Sequence, residues 1–200
     1  MLRANQSLTI HLVRHGETDW NAESRLQGWA DIPLNQKGLA QAQITAASLA
    51  SRPLARVISS DLMRARQTAE PIAAGAGLAV EVEPALRERR YGVAEGRTDT
   101  ELALEFGDQF EQHWADLDFS FEGGETRREV YTRLGDFLRT LLAQPAAGEL
   151  VLVSHGGALR AARGFLEGIP LGELPRWEFH NGQITTVSVE PDALLKTVEL

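Results

Sequence analysis

Two apolar segments of the chain each end in a histidine that is followed by glycine. Residues 8–13 (LTIHLV) have the apolar and β-branched side chains of a buried strand, and they run directly into RHG at 14–16. Residues 149–153 (ELVLV) repeat this pattern and lead into SHGG at 154–157. The carboxyl ends of parallel strands meet at one edge of a sheet, where such sheets bind ligands. The chain is therefore predicted to form an α/β fold with both histidines in one site.

The rest of the chain alternates between strand and helix patterns. Apolar side chains at helical spacing indicate the helices, and short β-branched runs indicate the strands. The predicted strands are residues 8–13, 56–60, 78–82 and 149–153, and the predicted helices are residues 36–50, 61–74, 98–117, 123–143 and 158–166. Such alternation implies a largely parallel sheet that is covered by helices on both faces.

Three local signals set the details of these elements. Asp61 is the predicted N-cap of the helix at 61–74, and Pro71 predicts a kink or a stop within that helix. The pair Asn181-Gly182, within the segment 177–189, is typical of a β-hairpin turn. It predicts two antiparallel or edge strands at the end of the sheet.

The composition is that of an ordinary globular domain, and it excludes several kinds of site. With 200 residues, 43% of them hydrophobic, the chain suits a single domain over residues 1–200. The absence of cysteine excludes disulfides, zinc–thiolate sites and cysteine nucleophiles. A net charge of −8 argues against a nucleic-acid partner.

The same composition gives expectations about location and assembly. Residues 1–7 lack the apolar stretch of a signal peptide, and no segment is long and apolar enough to span a membrane. We therefore expect a cytoplasmic protein with no membrane partner. A homodimer is one assembly that the sequence allows.

An anion site in so acidic a chain requires a local concentration of basic groups. Glycine after each histidine lets the backbone approach a ligand closely, and the helix after 154–157 would direct its free N–H groups at an anion. Arg64 lies in the first turn of the helix after the second strand, so it reaches the same edge of the sheet. With Arg14, His15 and His155 it would form a compact phosphate site.

Residues 12–21 (LVRHGETDWN) resemble the signature of the histidine phosphatase superfamily, which includes the phosphoglycerate mutases and related phosphatases. Three further blocks resemble this family in the same order, namely residues 59–69 (SSDLMRARQTA), 86–88 (LRE) and 154–157 (SHGG). The resemblance extends over most of the chain. It implies a three-layer α/β/α sandwich like that of phosphoglycerate mutase, with a mostly parallel central sheet flanked by helices.

The resemblance also implies a catalytic role for each core residue. His15 would attack phosphorus and form a phosphohistidine, while Arg14, Arg64 and His155 would bind the phosphate oxygens and stabilise the transition state. Glu88 would protonate the leaving oxygen and then activate water. Because these groups supply the positive charge, no metal and no other cofactor is expected.

Five further residues are weaker candidates. Asn21 matches a position that contacts the phosphate in the family, although asparagine there also suits a turn cap. Gln27 and Gly28 lie in a loop that resembles the family's phosphate-side loop, and Gly156 would bring the backbone close to the phosphate. Glu17, beside the nucleophile, is the alternative proton donor. The remaining histidines suit packing or surface roles: His11, His113 and His180.

Three departures from the mutase pattern favour hydrolysis over phosphoryl transfer. Mutases hold the substrate carboxylate with a lysine and paired arginines where this chain has TDT at 98–100 and HWAD at 113–116. The segment before Gly123 is shorter than in mutases, and Gly157 stands where they carry asparagine. We therefore predict a metal-independent phosphomonoesterase.

Two alternatives stay open beside the phosphomonoesterase. They are a mutase-like phosphotransferase and a catalytically inactive binding member of the family. The expected partner is a small phosphomonoester, for which sugar phosphates, α-ribazole phosphate, nucleotides and phosphorylated glycolytic acids are candidates. Loop residues that would line its pocket are Trp20, Arg25, Trp29, Tyr91, Arg97 and Trp114.

Overall fold

The computed structural model describes residues 7–107, 116–144 and 147–190. A five-stranded sheet of order β3-β2-β4-β1-β5 lies at its centre. The strands are β1 (Leu8–Arg14), β2 (Leu54–Ser59), β3 (Val80–Val82), β4 (Glu149–Ser154) and β5 (Ile184–Val189). All neighbouring strands pair in parallel except β5, which is antiparallel to β1. The predicted mostly parallel sheet is confirmed.

Helices cover both faces of this sheet. In the described part of the chain they are α1 (Asp19–Ala22), α2 (Gln36–Leu49), α3 (Met63–Ala76), α4 (Asp99–Phe106), α5 (Arg127–Leu142) and α6 (Gly156–Leu166). Alternate side chains of β1 point to opposite faces, as the period of a strand requires. Leu12 packs in the core under α5 and α6, whereas Val13 packs in the core under α2 and α3. The structure is thus the three-layer α/β/α sandwich that the sequence predicts.

The start of α3 differs from the prediction because a distant residue binds its predicted cap. Asp61 accepts hydrogen bonds from both Nε and Nη2 of Arg87 and does not cap the helix. The helix begins at Met63, without a side-chain cap on Leu62. It also continues through Pro71 to Ala76. The predicted N-cap, and a stop at Pro71, are therefore wrong.

Two other helices have shorter bounds than the predicted ones. α4 ends at Phe106, where Gly107 adopts a φ of +58°, and residues 116–117 are not helical. The rest of the predicted extension lies outside the described residues, together with His113 and Trp114. α5 begins only after Thr126, whose side chain accepts the N–H of Glu129 in a capping box.

Residues 177–189 contribute one strand and no hairpin. Residues 174–180 form no strand, and the Asn181-Gly182 turn leads directly into β5. The carbonyl of Phe179 accepts a hydrogen bond from Arg14, so this segment is bound at the site and not in the sheet. The predicted second strand is therefore wrong, and the predicted antiparallel edge strand is confirmed.

The loop that follows β1 contacts the backbone at the start of α2 through two glycines. A Cβ on Gly38 would lie 2.0 Å from the carbonyl oxygen of Glu17, and one on Gly16 would lie 2.5 Å from the carbonyl oxygen of Gly38. No side chain fits between these two backbones. The loop that carries His15 is thereby fixed against α2.

Gly38→Ala is expected to lower the free energy of unfolding by about 1–3 kcal/mol, because an added methyl group must push these backbones apart. Gly75→Ala is the matched control, since a Cβ there meets nothing within 4 Å and the helix α3 favours alanine. Thermal and urea unfolding of both variants measure the difference. Equal stability of Gly38→Ala and the wild type would show that the contact is not tight in solution.

Candidate active site

The two histidines lie side by side because the strands before them are neighbours. Arg14 of β1 pairs in register with Ser154 of β4, and the N–H of His15 donates to the carbonyl of Ser154 at 2.9 Å. The ring centroids of His15 and His155 are 5.1 Å apart. The structure thus brings together the two histidines that stand 140 positions apart in the sequence.

One nitrogen of His15 is available to a ligand. Nδ1 lies 2.7 Å from the carbonyl oxygen of Gly16, so Nδ1 carries the proton and donates it, and Nε2 keeps its lone pair. Burial lowers the pKa of His15 well below its usual value, and the charges of Arg64 and Arg14 lower it further. His15 is consequently a neutral imidazole with an unprotonated Nε2 in the site.

Arg64 is fixed at the centre of the site. Its side chain is 0% exposed, and Nη2 and Nη1 donate to the carbonyls of Gly28 and Ala30, each at 2.7 Å. Nε donates to Nδ1 of His155 at 3.2 Å, which leaves two of its five N–H groups for a ligand. Burial lowers the pKa of Arg64 to about 10, so the guanidinium stays charged near neutral pH.

His155 differs from His15 in having both ring nitrogens bound within the protein. Because Nδ1 accepts from Arg64, Nε2 carries the proton and donates to Oγ of Ser60 at 3.0 Å. Burial, then Arg64 and then His15, lower the pKa of His155 well below its usual value. His155 is therefore a neutral hydrogen-bond donor, and Ser60 is a positioning residue that the sequence did not single out.

Two buried polar atoms at the site have no hydrogen-bond partner among the described residues. They are Nε of Arg14 and Oε1 of Gln27. Nη1 of Arg14 donates to the carbonyl of Phe179 at 2.6 Å, which fixes the guanidinium, and burial lowers the pKa of Arg14. Unpartnered buried polar groups are rare, and here they lie beside the cavity in which a phosphate would bind.

Asn21 presents its amide nitrogen to the site because its oxygen is already bound. Oδ1 accepts from the N–H of Thr18 at 3.1 Å and from Nδ2 of Asn181 at 3.2 Å. Asn21 thus caps a turn and also lines the cavity. Asn181 donates to the carbonyl of His15 at 3.0 Å as well, so the residue predicted only as a turn former also holds the loop that carries His15.

Glu88 lies at the N-terminus of α6, where three backbone N–H groups bind its carboxylate. Gly157, Ala158 and Arg89 donate to it at 3.0, 3.1 and 2.8 Å. A Cβ on Gly157 would lie 2.6 Å from Oε1 of Glu88, so a side chain there would displace the carboxylate. The helix terminus predicted to bind phosphate directly therefore shares its N–H groups with Glu88, and the N–H of Gly156 is the one left over.

The alternative proton donor lies away from the site. Glu17 accepts from Lys37 at 2.6 Å and from Asn35 at 3.1 Å, and these two hydrogen bonds lower its pKa. It does not line the cavity, so the structure does not support it as the acid. Gly28, in contrast, lines the cavity, and its carbonyl accepts a hydrogen bond from Arg64. Its φ is +51°, and a Cβ there would lie 2.2 Å from Oε1 of Glu95.

The other predicted pocket residues divide into two groups. Arg25 and Tyr91 line the cavity at His15. Trp20 packs against Gly96, Trp29 lies under the guanidinium groups of Arg87 and Arg90, and Arg97 pairs with Glu105. Of the remaining histidines, His11 is buried between Thr186 and Glu149, and His180 is exposed.

Two adjoining cavities form the site as a whole. The cavity at His15 has a volume of about 380 Å³, and a second cavity of about 700 Å³ opens beside it. Both are lined by Tyr91, Gly157, Arg160 and Glu178. The TDT segment at 98–100 lines neither of the two cavities. The arginines of the second cavity are not among the residues that the sequence predicts for the pocket. Segment 113–115 lies outside the described residues.

The tautomers of the two histidines can be measured directly. We expect long-range ¹H–¹⁵N NMR spectra to show the proton on Nδ1 of His15 and on Nε2 of His155. Because burial depresses both pKa values, neither ring should become charged as the pH falls through about 6.5. A histidine pair that titrates near the usual value would contradict the buried geometry.

No helix in the described part of the chain is long and apolar enough to cross a membrane. Over residues 7–107, 116–144 and 147–190, no three His, Asp or Glu side chains come together as metal ligands.

Comparisons with known proteins agree with this architecture. A family model described as the histidine phosphatase superfamily (branch 1) matches residues 10–198. A relative from Yersinia pestis, named Probable phosphoglycerate mutase GpmB, is 36% identical over 189 residues, which cover 92% of this chain and 86% of that protein.

Solved structures show the same fold. Mycobacterial hydrolase 1 matches with a TM-score of 0.86 at 30% sequence identity, and the match covers 92% of this chain and 91% of that chain. A mycobacterial glucosyl-3-phosphoglycerate phosphatase in complex with VO3 has a TM-score of 0.82 at 31% identity, with 90% of each chain covered. With a family match over almost its whole length, this chain belongs to the histidine phosphatase superfamily.

Proposed function

We propose that the protein hydrolyses small phosphomonoesters through a phosphohistidine on His15, without a metal ion. The observation that carries this proposal is the state of the His15 ring. Its Nδ1–H is bound by the carbonyl of Gly16, and its Nε2 is unprotonated beside two arginines. A neutral imidazole with a fixed tautomer is the form of histidine that attacks phosphorus.

In the first step, Nε2 of His15 forms a bond to phosphorus while the ester P–O bond breaks. The leaving oxygen takes a proton from the carboxyl group of Glu88, so an alcohol departs. Arg14 and Arg64 offer N–H groups to the phosphoryl oxygens, and their fixed positions require no rearrangement as charge develops. His155 adds a neutral donor when its Nε2–H turns from Ser60 to the phosphate.

In the second step, the carboxylate of Glu88 removes a proton from water as the water oxygen attacks phosphorus. The P–N bond breaks, inorganic phosphate is released, and His15 and the protonated Glu88 are restored.

The test is to measure phosphate release and trap the intermediate. We expect a panel of phosphomonoesters to release phosphate, and a labelled ester to leave label on the protein that is stable in base and lost in acid. Mass spectrometry of the base-quenched protein should locate the phosphoryl group on His15. Acid-stable label on serine or aspartate would refute this mechanism.

Anions that resemble phosphate should inhibit, whereas chelators should not. Orthovanadate and inorganic phosphate are expected to inhibit competitively, because each binds the same arginines as the substrate. EDTA is expected to leave the rate unchanged, since Arg14 and Arg64 supply the positive charge that metal ions supply in kinases. Initial rates after chelation and after gel filtration measure this. Loss of activity that zinc or magnesium restores would contradict the proposal.

A phosphoglycerate mutase activity is the second candidate, because a curated relative of this chain carries that name. The two reactions differ in what accepts the phosphoryl group from His15, water or a second substrate hydroxyl. Interconversion of 3- and 2-phosphoglycerate that depends on a bisphosphoglycerate primer, with negligible free phosphate, would favour the mutase. An inactive binding member would release no phosphate from any ester.

A further inference from the structure

The second cavity is lined by far more positive than negative charge. Its charged lining residues are Arg89, Arg127, Arg160, Arg176 and Glu178. This arginine-lined cavity, as we call it, opens next to the cavity at His15, and Tyr91, Gly157 and Arg160 belong to both. A group bound at His15 would therefore lie next to this cavity.

Two of these arginines are fixed by backbone carbonyls and not by carboxylates. Arg89 is 5% exposed, and its Nε and Nη2 donate to the carbonyls of Glu125 and Phe119 at 2.7 and 2.6 Å. Arg160 donates twice to the carbonyl of Trp177, at 3.2 and 2.9 Å. Among the described residues, neither forms an ion pair with Asp or Glu. Their side chains are thus oriented while their charge is left unneutralised.

The arginines also repel one another. Burial lowers the pKa of Arg127, and the positive charges of Arg160 and Arg89 lower it further. Gathering like charges in a partly buried wall is unfavourable until an anion binds between them. The cavity is therefore preorganised for a negatively charged ligand.

Many arginines elsewhere in the described chain have partners of a different kind from those of Arg89 and Arg160. They form ion pairs with Asp or Glu in at least nine cases: Arg52, Arg56, Arg66, Arg87, Arg97, Arg128, Arg133, Arg139 and Arg163. In a chain with a net charge of −8, carboxylates are abundant. Among the described residues, four arginines and one carboxylate line this cavity, and Arg89 and Arg160 differ from the paired arginines in being held by backbone carbonyls.

We propose that the arginine-lined cavity binds a second anionic group, a carboxylate or phosphate, on the same molecule whose phosphoryl group lies at His15. This assignment rests on the proposed function and narrows its substrate to phosphomonoesters with a second negative group. The guanidinium fork binds either group through paired N–H donors. Val130, Ala161, Leu171 and Leu174 provide apolar walls for the carbon chain between the two anions.

The test compares ligands that differ only in the second anion. Phosphonocarboxylates and alkylphosphonates of the same carbon number, with three, four and six carbons, bind without being hydrolysed. Calorimetric titration should show at least about tenfold tighter binding of the carboxylate at one chain length. Phosphonates with a second phosphonate group in place of the carboxylate then show which anion is preferred.

Variants locate the second anion. Arg127→Met should reduce the advantage of the carboxylate by about tenfold, and Arg127→Lys should keep part of it because the charge is retained without the fork. Arg128→Met is the matched control, since Arg128 is exposed and pairs with Asp118 at 2.7 Å. It should leave the advantage intact.

Equal affinity for carboxylate and alkyl ligands at every length would overturn this inference. So would a carboxylate advantage that survives in both Arg127 variants. Hydrolysis of p-nitrophenyl phosphate is measured separately, so the two proposals fail independently. Release of p-nitrophenol without tighter binding of the carboxylate ligands would support the phosphatase function and refute the second anion site. Tighter binding of the carboxylate ligands without release of p-nitrophenol would support the second anion site and refute the phosphatase function.

Discussion

His15→Ala is expected to lower the rate of phosphate release by at least about 10⁴-fold. The variant loses the nitrogen that bonds to phosphorus, while Arg14 and Arg64 remain fixed by backbone carbonyls. Binding and electrostatic stabilisation should therefore persist and leave a small residual rate. Initial rates with p-nitrophenyl phosphate and the amount of acid-labile label measure the effect.

The structure also says why the nucleophile should be His15 and not its neighbour. Both nitrogens of His155 are bound within the protein, by Arg64 and Ser60, whereas Nε2 of His15 is not. His155→Ala should accordingly slow the reaction but still accumulate label. Calorimetry with inorganic phosphate and thermal unfolding serve as controls that each variant retains its fold and its phosphate site. Label that persists in His15→Ala and disappears in His155→Ala would reverse the assignment.

For the proposed phosphomonoester, the net charge of the chain would make binding a short-range event. At −8 the protein repels a phosphate dianion at distances beyond the site, so diffusion is not guided by attraction. Within the cavity at His15 the balance is reversed, since Arg14, Arg64 and Arg160 line it. Charges in a partly buried cavity are screened less by salt than surface charges are. Specificity thus depends on the shape of the cavity and on its fixed guanidinium groups.

The layers of the fold follow from the sequence because they depend on local periodicity. The alternation of short apolar strands with amphipathic helices is visible in the residues themselves, and the four strands predicted before the tail lie within two residues of their observed bounds. The wrong predictions arise where a distant residue binds the group on which the local pattern depends. Asp61 is a good N-cap by type, but Arg87 binds it, and the segment before β5 is bound to Arg14.

The site shows the same division between local and distant information. Arg14, His15, Arg64 and His155 follow strands or begin helices, so topology alone predicts that they meet. Ser60 follows β2 and Arg127 begins α5, but Asn181, Arg89 and Arg176 do not stand in any such pattern. They reach the site through long-range contacts, such as that of Asn181 with His15 across 166 positions, which periodicity and spacing do not encode.

Glu88 is the candidate whose chemistry depends most on its surroundings. Its carboxylate accepts hydrogen bonds from three backbone N–H groups, and its backbone carbonyl accepts from Trp29 and Arg133 at 2.9 Å each. The side chain is therefore positioned from both ends. A carboxyl group placed in this way needs no rearrangement for the proton transfers that we propose for it.

Glu88→Gln is expected to slow the hydrolysis of esters with poor leaving groups much more than that of esters with good ones. Glutamine has nearly the same shape but transfers no proton, so alkyl phosphates, whose alkoxide must be protonated, should lose about 10²–10⁴-fold in kcat/KM. p-Nitrophenyl phosphate should lose far less in the bond-breaking step, because its phenolate departs without a proton. Glu17→Gln is the matched control and should leave the dependence on leaving group unchanged, since Glu17 binds Lys37 and Asn35 outside the cavity. Equal losses of kcat/KM for both ester types in Glu88→Gln would instead assign Glu88 to positioning of the α6 terminus. A larger loss for alkyl phosphates than for p-nitrophenyl phosphate in Glu17→Gln would assign the acid role to Glu17.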